Sequence, residues 1–432
     1  MKKLKTFFKS PLVDALIDCW ALLLGMGLVM LGNGLQGPLL GVRALIEGFS
    51  PSLTGVVMST YFIGFVLGAK FAPVLVMRVG HVRVFAALAS IVSASALLHA
   101  VYLLPIAWIL IRFVTGACFA GLYIVAESWL NESISNATRG KLLSAYMVVN
   151  LGGLGLGPML LSMGDPAGSN LFIIVSILFS IALLPILMKV GPMPAFETHR
   201  TMRLSQIIKD APLGVVGCFI TGVSNGAIIG LGAVYAEILG FTLTQVSLFM
   251  SSAILGGVLF QWPVGHASDI FDRRIVLTAV TFIASIAAAF TFAIKSGNIL
   301  SYSALIGVLG GMSFPMYSLV LAMVNDRLTT DQMVAASSSL VLIVGIGAFL
   351  GAGAAGQAID RMGAPGFMVL LSVIHASLGV FALYRMLIVP TVPLEQQGPS
   401  VYIPRTSPVA AAVAFEDTQE QTGEVTGDQD SQ

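Results

Sequence analysis

The sequence is poor in charge and in the residues that usually build soluble active sites. Only 10% of its 432 residues are Asp, Glu, Lys or Arg, and it has 3 cysteines and 5 histidines. This composition excludes a soluble domain of ordinary make-up. The cysteines lie within apolar runs, which indicates neither a disulfide framework nor a metal site: Cys19, Cys118 and Cys218. No phosphate loop, nucleophile triad or nucleic-acid patch is present, so we expect no enzyme, no cofactor and no nucleic-acid partner.

Long apolar runs dominate what is there. Hydrophobic residues make up 56% of the chain and the mean hydropathy is +0.92, as in an integral membrane protein. Because about 20 apolar residues cross a bilayer as a helix, the runs predict an all-α membrane fold with twelve transmembrane helices. They lie at 16–40, 52–77, 82–103, 105–130, 139–163, 168–190, 212–238, 245–268, 274–294, 299–324, 334–358 and 365–389.

Two polar segments divide the chain into domains. Residues 1–190 and 212–389 each hold six predicted spans, so we predict two six-helix bundles joined by a cytoplasmic linker at 191–211. Residues 390–432 are rich in proline and then acidic, which predicts a disordered cytoplasmic tail. The apolar run after the basic start of the chain is too long for a signal peptide and lacks a cleavage site, so we predict an uncleaved first helix.

The distribution of lysine and arginine predicts the orientation. The side that holds the N-terminus carries seventeen of them, in its loops and at the adjoining ends of the spans: Lys2, Lys3, Lys5, Lys9, Arg78, Arg83, Arg139, Lys141, Lys189, Arg200, Arg203, Lys209, Arg273, Arg274, Arg327, Arg385 and Arg405. The other side carries Arg43, Lys295 and Arg361. Basic residues favour the cytoplasm, so both termini are expected there, with the protein in a bacterial inner membrane.

A charged hairpin occurs at corresponding places in the two halves. Residues 265–274 carry four formal charges between two apolar runs, which predicts a tight cytoplasmic turn. One gap-free offset superposes three places: Gly48 on Gly240, Gly64 on Gly256, and residues 78–83 on 270–275. A shared offset indicates an internal duplication. Parallel repeats of this kind build secondary transporters, with the substrate site at the repeat interface.

Twelve spans in two similar halves, with a charged hairpin after the second helix of each, resemble the major facilitator superfamily over about residues 12–390. The second hairpin matches the superfamily signature Gly-x-x-x-Asp-Arg-x-Gly-Arg-Arg at Gly265, Asp269, Arg273 and Arg274, and departs from it at Ile270 and Asp272. The first hairpin keeps Arg78 and Gly80 but has Pro73 and Met77 in place of glycine and aspartate. The resemblance implies a charge latch that is more complete in the second half.

Three further segments resemble motifs of efflux members of the superfamily. They are Leu31-Gly32 with Pro38 in helix one, residues 109–116 around Arg112 in helix four, and Gly153 with Gly157-Pro158 in helix five, where the paired glycines expected after the proline are Leu161 and Ser162. The arginine of the helix-four motif is associated with proton coupling, and the helix-five glycines imply close helix packing. Together the segments favour an exporter. Residues 79–81 and 126–131 resemble a YcaD-like branch.

Two basic residues lie inside predicted spans and are candidates for substrate binding or coupling. Arg112 is about seven residues into helix four, roughly 10 Å deep, and shares a helix face with Tyr123. Such a charge needs a partner or a wet cavity, so Arg112 is expected to tune a carboxyl or bind an anion. The alternative is a structural arginine bound to backbone carbonyls. Lys70 in helix two either faces the cavity or snorkels to the surface.

Carboxyl groups within spans are few. Glu127 near the end of helix four lies, in the superfamily arrangement, near the basic loops that follow helices two and four, so we expect a gating role. Glu237 at the outer end of helix seven is a weaker candidate for the proton carrier, because no carboxyl lies mid-span. The predicted latch residues are Arg78, Gly80, Glu127, Arg139, Gly265, Asp269, Arg273 and Arg274.

Uncharged polar side chains at mid-membrane depth are candidates for solute binding: Asn33, Gln36, Asn225 and Gln261. Asn33 and Asn225 are favoured, because both lie beside glycines in the first helix of a half, where helices break and line cavities. The alternative for each is an interhelical hydrogen bond, worth about 1 kcal/mol.

We therefore predict a secondary active transporter that exports a small organic solute by alternating access, coupled to protons because the sequence has no ATP-binding motif. Proton-symport uptake of a metabolite is the alternative, and a receptor or assembly protein on the same fold is the alternative of another class. The expected partners are the solute, protons and membrane lipid, and the chain is expected to be a monomer.

Overall fold

The twelve predicted membrane helices are all present in the structure, a computed structural model that describes residues 11–132, 136–188, 204–294, 298–328 and 330–388. The all-α membrane fold is therefore confirmed. The helices are α1 Pro11–Ile46, α2 Pro51–Val79, α3 His81–Val101, α4 Pro105–Glu132, α5 Asn136–Leu156, α6 Asn170–Ile181 with Leu183–Met188, α7 Pro212–Ile238, α8 Leu243–Ile270, α9 Arg273–Phe290, α10 Ile299–Ser313 with Met316–Asn325, α11 Thr330–Met362 and α12 Pro365–Ile388.

Several spans are interrupted or extended where the local sequence changes. Pro315, which has no backbone N–H to donate, separates the two parts of α10. Pro158 lies in the first turn of a 3₁₀ segment, Gly157–Met163, that continues α5. A short helix, Leu204–Asp210, precedes α7. The rest of the linker and the tail at 390–432 lie outside the described residues, so the predicted domain boundaries stay predictions.

The first helix is longer than predicted and ends at Ile46, not at residue 40. It ends where Gly48 adopts a φ of 77°, a left-handed conformation that glycine adopts without strain. Arg43, counted above among loop residues, therefore lies in the last turn of α1. The residue is 7% exposed, and its side chain donates hydrogen bonds to Glu47 at 2.6 Å and to the carbonyl of Pro166 at 2.9 Å.

Both hairpins are shorter than predicted. Gly80 alone joins α2 to α3, and residues 271–272 alone join α8 to α9, so Gly265 and Asp269 are helical. The reason is that helical hydrogen bonding continues to the link in each half, from Gly80 N to Val76 O at 2.9 Å and from Phe271 N to Ala267 O at 2.9 Å. Apart from Asp272, the charged residues of the two hairpins thus belong to helix ends and not to a loop.

The internal repeat is visible in the way helices approach one another. A methyl group on Gly116 of α4 would clash with the carbonyl of Tyr61 in α2, and one on Gly310 of α10 would clash with the carbonyl of Ala253 in α8. Ala253 is the residue that the sequence offset superposes on Tyr61. In both halves, glycine lets two backbones touch.

The helix-five glycines do the same for the inner helices. Gly153 approaches the carbonyl of Gly27 in α1, and Gly157 approaches that of Leu31. In the second half, Gly351 of α11 approaches the carbonyl of Val223 in α7, which the offset superposes on Leu31. These two helix pairs of each half are therefore in backbone contact.

The two halves meet at one face of the protein and separate at the other. We call the face where α1 begins the basic face and the opposite one the far face. Toward the far face, Ser59 of α2 donates to the carbonyl of Phe349 in α11 at 2.8 Å, and the backbone N–H of Ser52 donates to Asp360 at 3.0 Å. Toward the basic face, a cleft of about 590 Å³ lies between α5, α8 and α10. The molecule is closed at the far face and open at the basic face.

Candidate functional site

A central cavity of about 250 Å³ lies between the two halves and is lined by both. It is lined by five of the residues that the sequence predicts for substrate binding or coupling: Asn33, Arg112, Tyr123, Asn225 and Gln261. These side chains come from α1, α4, α7 and α8, so the cavity lies at the interface of the repeats, as the duplication predicts.

Arg112 is the only charged residue among the described residues that line this cavity. Its side chain is 6% exposed, and its guanidinium carbon lies 4.5 Å from the centre of the Tyr61 ring. Its Nε atom is buried without a hydrogen-bond partner among the described residues. A cation over an aromatic face is stabilised by about 0.5–2 kcal/mol, which is less than the several kcal/mol that burial of an unpaired ion costs.

Two asparagines lie at repeat-related positions in the cavity wall. Asn33 in α1 and Asn225 in α7 are superposed by the same offset that aligns the hairpins. Asn225 is 4% exposed, and neither atom of its amide has a hydrogen-bond partner among the described residues. Buried amides without partners are costly, so Asn225 offers a donor and an acceptor to whatever enters the cavity.

The remaining wall is mostly apolar. Its large side chains are Met58, Phe62, Phe65, Met147, Leu151, Leu154, Ile229, Met250, Ile254, Phe314, Val341 and Val344. Methionine and aromatic side chains adapt to ligands of different shape. The chemistry of the cavity is thus an apolar chamber with one cation and a few amide groups.

The central cavity continues into the cleft that opens at the basic face. Met147, Leu151 and Gln261 line both spaces. Gln261 lies within 3.5 Å of the hydroxyl of Ser318 in α10. Farther along, the cleft is lined by Gly265 and Asp269 of the latch. A solute in the cavity therefore has a route to the basic face past the end of α8.

Three predicted candidates do not line the cavity. Gln36 is fully buried in α1, and its amide has no hydrogen-bond partner among the described residues. Lys70 in α2 has an exposed side chain, which agrees with the snorkelling alternative. Glu237 is half-buried at the end of α7, and its Oε2 atom has no partner among the described residues.

The predicted latch of the first half is only partly covered by the described side chains. Arg78 is exposed at the end of α2, and Gly80 forms the link to α3 with a φ of 90°. Glu127 is 2% exposed, and the hydroxyl of Tyr146 in α5 donates to it at 3.5 Å. Arg139 lies in α5 with a side chain outside the described set.

Among the described residues, ion pairs of Arg273 and of Arg274 lie in the latch of the second half. Arg273 is 3% exposed and binds Asp326 at the end of α10 at 2.5 Å and the carbonyl of Ala322 at 3.1 Å. Arg274 binds Asp272 at 2.9 Å, and Asp272 also caps the first turn of α9. Asp269 is exposed to the cleft.

Positive charge accumulates beside these pairs. Arg274, Arg327 and Arg385 surround one small pocket at the basic face. The pKa of Arg327 is lowered by burial and then by the charges of Arg274 and Arg385, while Asp326 and Asp272 oppose this effect. The local field is therefore repulsive among the arginines, and the two aspartates offset part of it.

Tyr61 is the main residue of the site that the sequence analysis missed. Nothing in the sequence distinguishes it from other aromatic residues of α2, because its role depends on a contact with Arg112 in another helix. The usable signal is that a buried arginine without a nearby carboxylate needs an aromatic face or a carbonyl. Asn150 of α5 is also buried in the cavity wall.

Comparison with known proteins agrees with this architecture. The model of the Major Facilitator Superfamily matches residues 22–229 and 213–415. The chain belongs to the major facilitator superfamily. Its curated relatives include the MFS-type transporter YcaD of Escherichia fergusonii, 30% identical over 336 residues, which cover 76% of this chain and 86% of that protein. YcaD of Escherichia coli O9:H4 is 29% identical over the same extent. The expected family is confirmed, and the chain is a multi-pass membrane transporter of this superfamily.

Solved structures of superfamily members share the fold at low sequence identity. The nucleoside transporter NupG is 13% identical with a TM-score of 0.69, over 86% of this chain and 99% of that one. A bacterial homologue of the human lysosomal transporter Spinster, in an inward-facing and occupied conformation, is 14% identical with a TM-score of 0.65, over 95% of this chain and 97% of that one. At these identities the likeness establishes the transporter fold alone.

Proposed function

We propose that this superfamily member exports a small organic solute by alternating access, in exchange for protons. The observation that carries the proposal is the central cavity, which lies between the repeats, is open toward one face and has buried polar groups without partners among the described residues. A cavity that is closed at one face and open at the other is one of the two states that alternating access requires.

The orientation follows from charge. The excess of lysine and arginine on the basic face assigns that face to the cytoplasm, in a bacterial inner membrane with both termini inside. The conformation described above is then inward-facing. Gating residues act at both ends: contacts of α2 with α11 close the far face, and the hairpin charges close the basic face in the other state.

The latch stabilises the outward-facing state in this scheme. Asp269 lies on the wall of the open cleft, so closure of the cleft brings it toward the opposite half. Arg273 holds the start of α9 to the end of α10 through Asp326, and Arg274 binds Asp272 in the link between α8 and α9. Glu127, with Tyr146, is the corresponding gating group of the first half. Neutralising Asp269 should therefore increase the inward-facing population.

Proton carriage is assigned to carboxyls outside the cavity, because none lies among the described lining residues. Glu127 is four residues beyond the cavity residue Tyr123, one helical turn away. Glu237, whose Oε2 has no partner among the described residues, is the second candidate. The resemblance of Arg112 to the helix-four motif supports export by exchange, with Arg112 transmitting the charge state of these groups to the cavity.

Proton-symport uptake is the second candidate function. The observation in its favour is the same lack of a carboxyl in the described cavity lining, because exchange requires a protein group that is protonated when the solute leaves. In symport, the proton and an anionic solute enter together.

The decisive experiment measures proton flux in proteoliposomes with a panel of organic anions, cations and neutral metabolites. Proton movement opposite to the solute supports exchange, and movement in the same direction supports symport. Counterflow of a labelled solute without proton movement would make the protein a facilitator. The absence of proton flux and of counterflow with every solute would contradict transport and favour a receptor or assembly role.

A further inference from the structure

The charge balance of the central cavity points to the kind of solute it takes. Its described lining has one formal charge, that of Arg112, and contains no Asp or Glu. The guanidinium of Arg112 lies over the face of Tyr61. A guanidinium in a largely apolar chamber is electrostatically incomplete without an anion. The described lining therefore has an excess of one positive charge.

The other buried arginines show what a structural arginine looks like in this protein. Arg43, 7% exposed, binds Glu47 and the carbonyls of Pro166, Ala167 and Gly168. Arg273, 3% exposed, binds Asp326 and the carbonyl of Ala322. The guanidinium groups of both arginines thus bind a carboxylate and at least one backbone carbonyl. Arg112 has neither among the described residues, so the structural alternative of a carbonyl-bound arginine does not describe it.

The rest of the chamber constrains the body of the solute. The walls of the cavity include Phe62, Phe65 and methionine side chains, which favour an apolar and preferably flat body. The amide of Asn225, without a partner among the described residues, offers hydrogen bonds from the opposite half. Lys70, the other intramembrane cation, is not in the lining. One cation in the cavity matches a single negative charge.

We propose that the transported solute is an organic monoanion with an apolar body, and that Arg112 binds its anionic group while Asn225 contacts it from the second half. This inference rests on the proposed transport function and specifies its substrate class. Contacts from both halves to one solute also couple occupancy to the relative position of the halves.

The test measures binding to the purified full-length protein by titration calorimetry with pairs of matched probes. Each pair is a monoanion and its neutral amide: benzoate and benzamide, 2-naphthoate and 2-naphthamide, octanoate and octanamide. We expect at least one acid to bind ten-fold or more tightly than its amide. In Arg112→Gln this preference should disappear, and in Arg112→Lys part of it should remain.

Lys70→Gln is the matched control, because it removes an intramembrane cation outside the cavity, and it should leave the preference unchanged. Retained amide binding shows that Arg112→Gln is folded. A preference that survives in Arg112→Gln, equal binding of acids and amides, or no binding of any acid would overturn the proposal. Binding without any flux in proteoliposomes would instead refute transport, whereas Arg112-independent transport of neutral solutes would refute only the monoanion assignment.

Discussion

The two halves have similar glycine packing but join their third and fourth helices with different chemistry. In the first half, Nε2 of His81 lies 2.9 Å from the hydroxyl of Ser128. In the second, the offset superposes Arg273 on His81, and Arg273 contacts Ala322 and Asp326. Ser128 and Ala322 each lie twelve residues beyond the packing glycines of α4 and α10. A hydrogen bond between uncharged groups and a buried ion pair thus occupy equivalent places.

This difference shows that the repeat fold does not depend on an ion pair at the joint. Glycine contacts between α2 and α4, and between α8 and α10, are present in both halves. The pair of Arg273 with Asp326 occupies the joint of the second half. Buried ion pairs often add little net stability compared with neutral packing, so the charges of the second half are better explained by a conformational role than by folding.

The far-face ends of the halves differ as well. The start of α8 is capped within its own half, where Thr242 and Gln245 form a capping box. The start of α2 is capped by Ser50 and, in addition, receives the carboxylate of Asp360 from α11. One helix start is therefore a local structure, and the other is also a contact between the halves.

The largest effect is expected at the ion pair. Arg273→Ala leaves the carboxylate of Asp326 buried without its arginine, and such changes cost about 3–5 kcal/mol. Ser128→Ala in the first half removes one hydrogen bond from His81 and should cost about 1–2 kcal/mol. Thermal unfolding of the purified variants in detergent measures both values. Equal destabilisation would contradict the difference between the halves.

A double variant separates stability from function at the same place. Arg273→Met with Asp326→Leu replaces the pair by apolar groups and should recover most of the stability lost in the single variant. If the charges serve gating, this stable variant should still differ from wild type in the accessibility of the cleft. Wild-type accessibility would show that the pair has no gating role.

A smaller effect is expected at the hairpin link of the first half. Gly80 has φ 90° and ψ 156°, a region that side chains other than glycine rarely adopt, so Gly80→Ala should cost about 1–3 kcal/mol. Asp272, its counterpart, caps α9 with a side chain, and Asp272→Ala should cost about 1 kcal/mol. Chemical denaturation measures the free energy of unfolding of both variants. An unchanged value for Gly80→Ala would show that the backbone of the link adopts another conformation without cost.

The smallest effect is expected at the far face. A carboxylate at a helix N-terminus contributes about 0.3–1 kcal/mol, so Asp360→Ala should raise the far-face-open population about two- to fivefold. Labelling of a Met58→Cys reporter in the cavity wall with an impermeant maleimide, applied from the far face, measures it. Thr242→Ala is the control, since its cap lies within one half, and an equal rise there would rule out a specific effect of Asp360.

The sequence was sufficient for the number of helices, because bilayer thickness sets the length of each apolar run. Helix ends were less predictable. The ends of α1 and α2 depend on Gly48 and Gly80 adopting positive φ, and a glycine in a glycine-rich membrane chain is a weak signal of a break. The superfamily was also recognisable, through the hairpin at Gly265 and Asp269.

The site was predictable where a polar residue interrupts an apolar span, as at Arg112, Asn33 and Asn225. The direction in which each of these side chains points was not predictable, because the lipid-facing and core-facing surfaces of a membrane helix are both apolar. Hence Gln36 was grouped with cavity residues although it is buried elsewhere, and both the cavity and the surface stayed open for Lys70, which is exposed. Contacts between distant helices, such as Arg112 with Tyr61, required the three-dimensional arrangement.

The glycine contacts within each half have a practical consequence for distance measurements. Because α1 touches α5 and α2 touches α4 through their backbones, we expect the distance between two probes attached to the same half to stay constant in the proposed transport cycle. Probes placed across the halves, on α5 and α8 beside the cleft, change their separation as the cleft closes. Pulsed electron resonance on such paired labels can therefore read the conformation without knowledge of the solute.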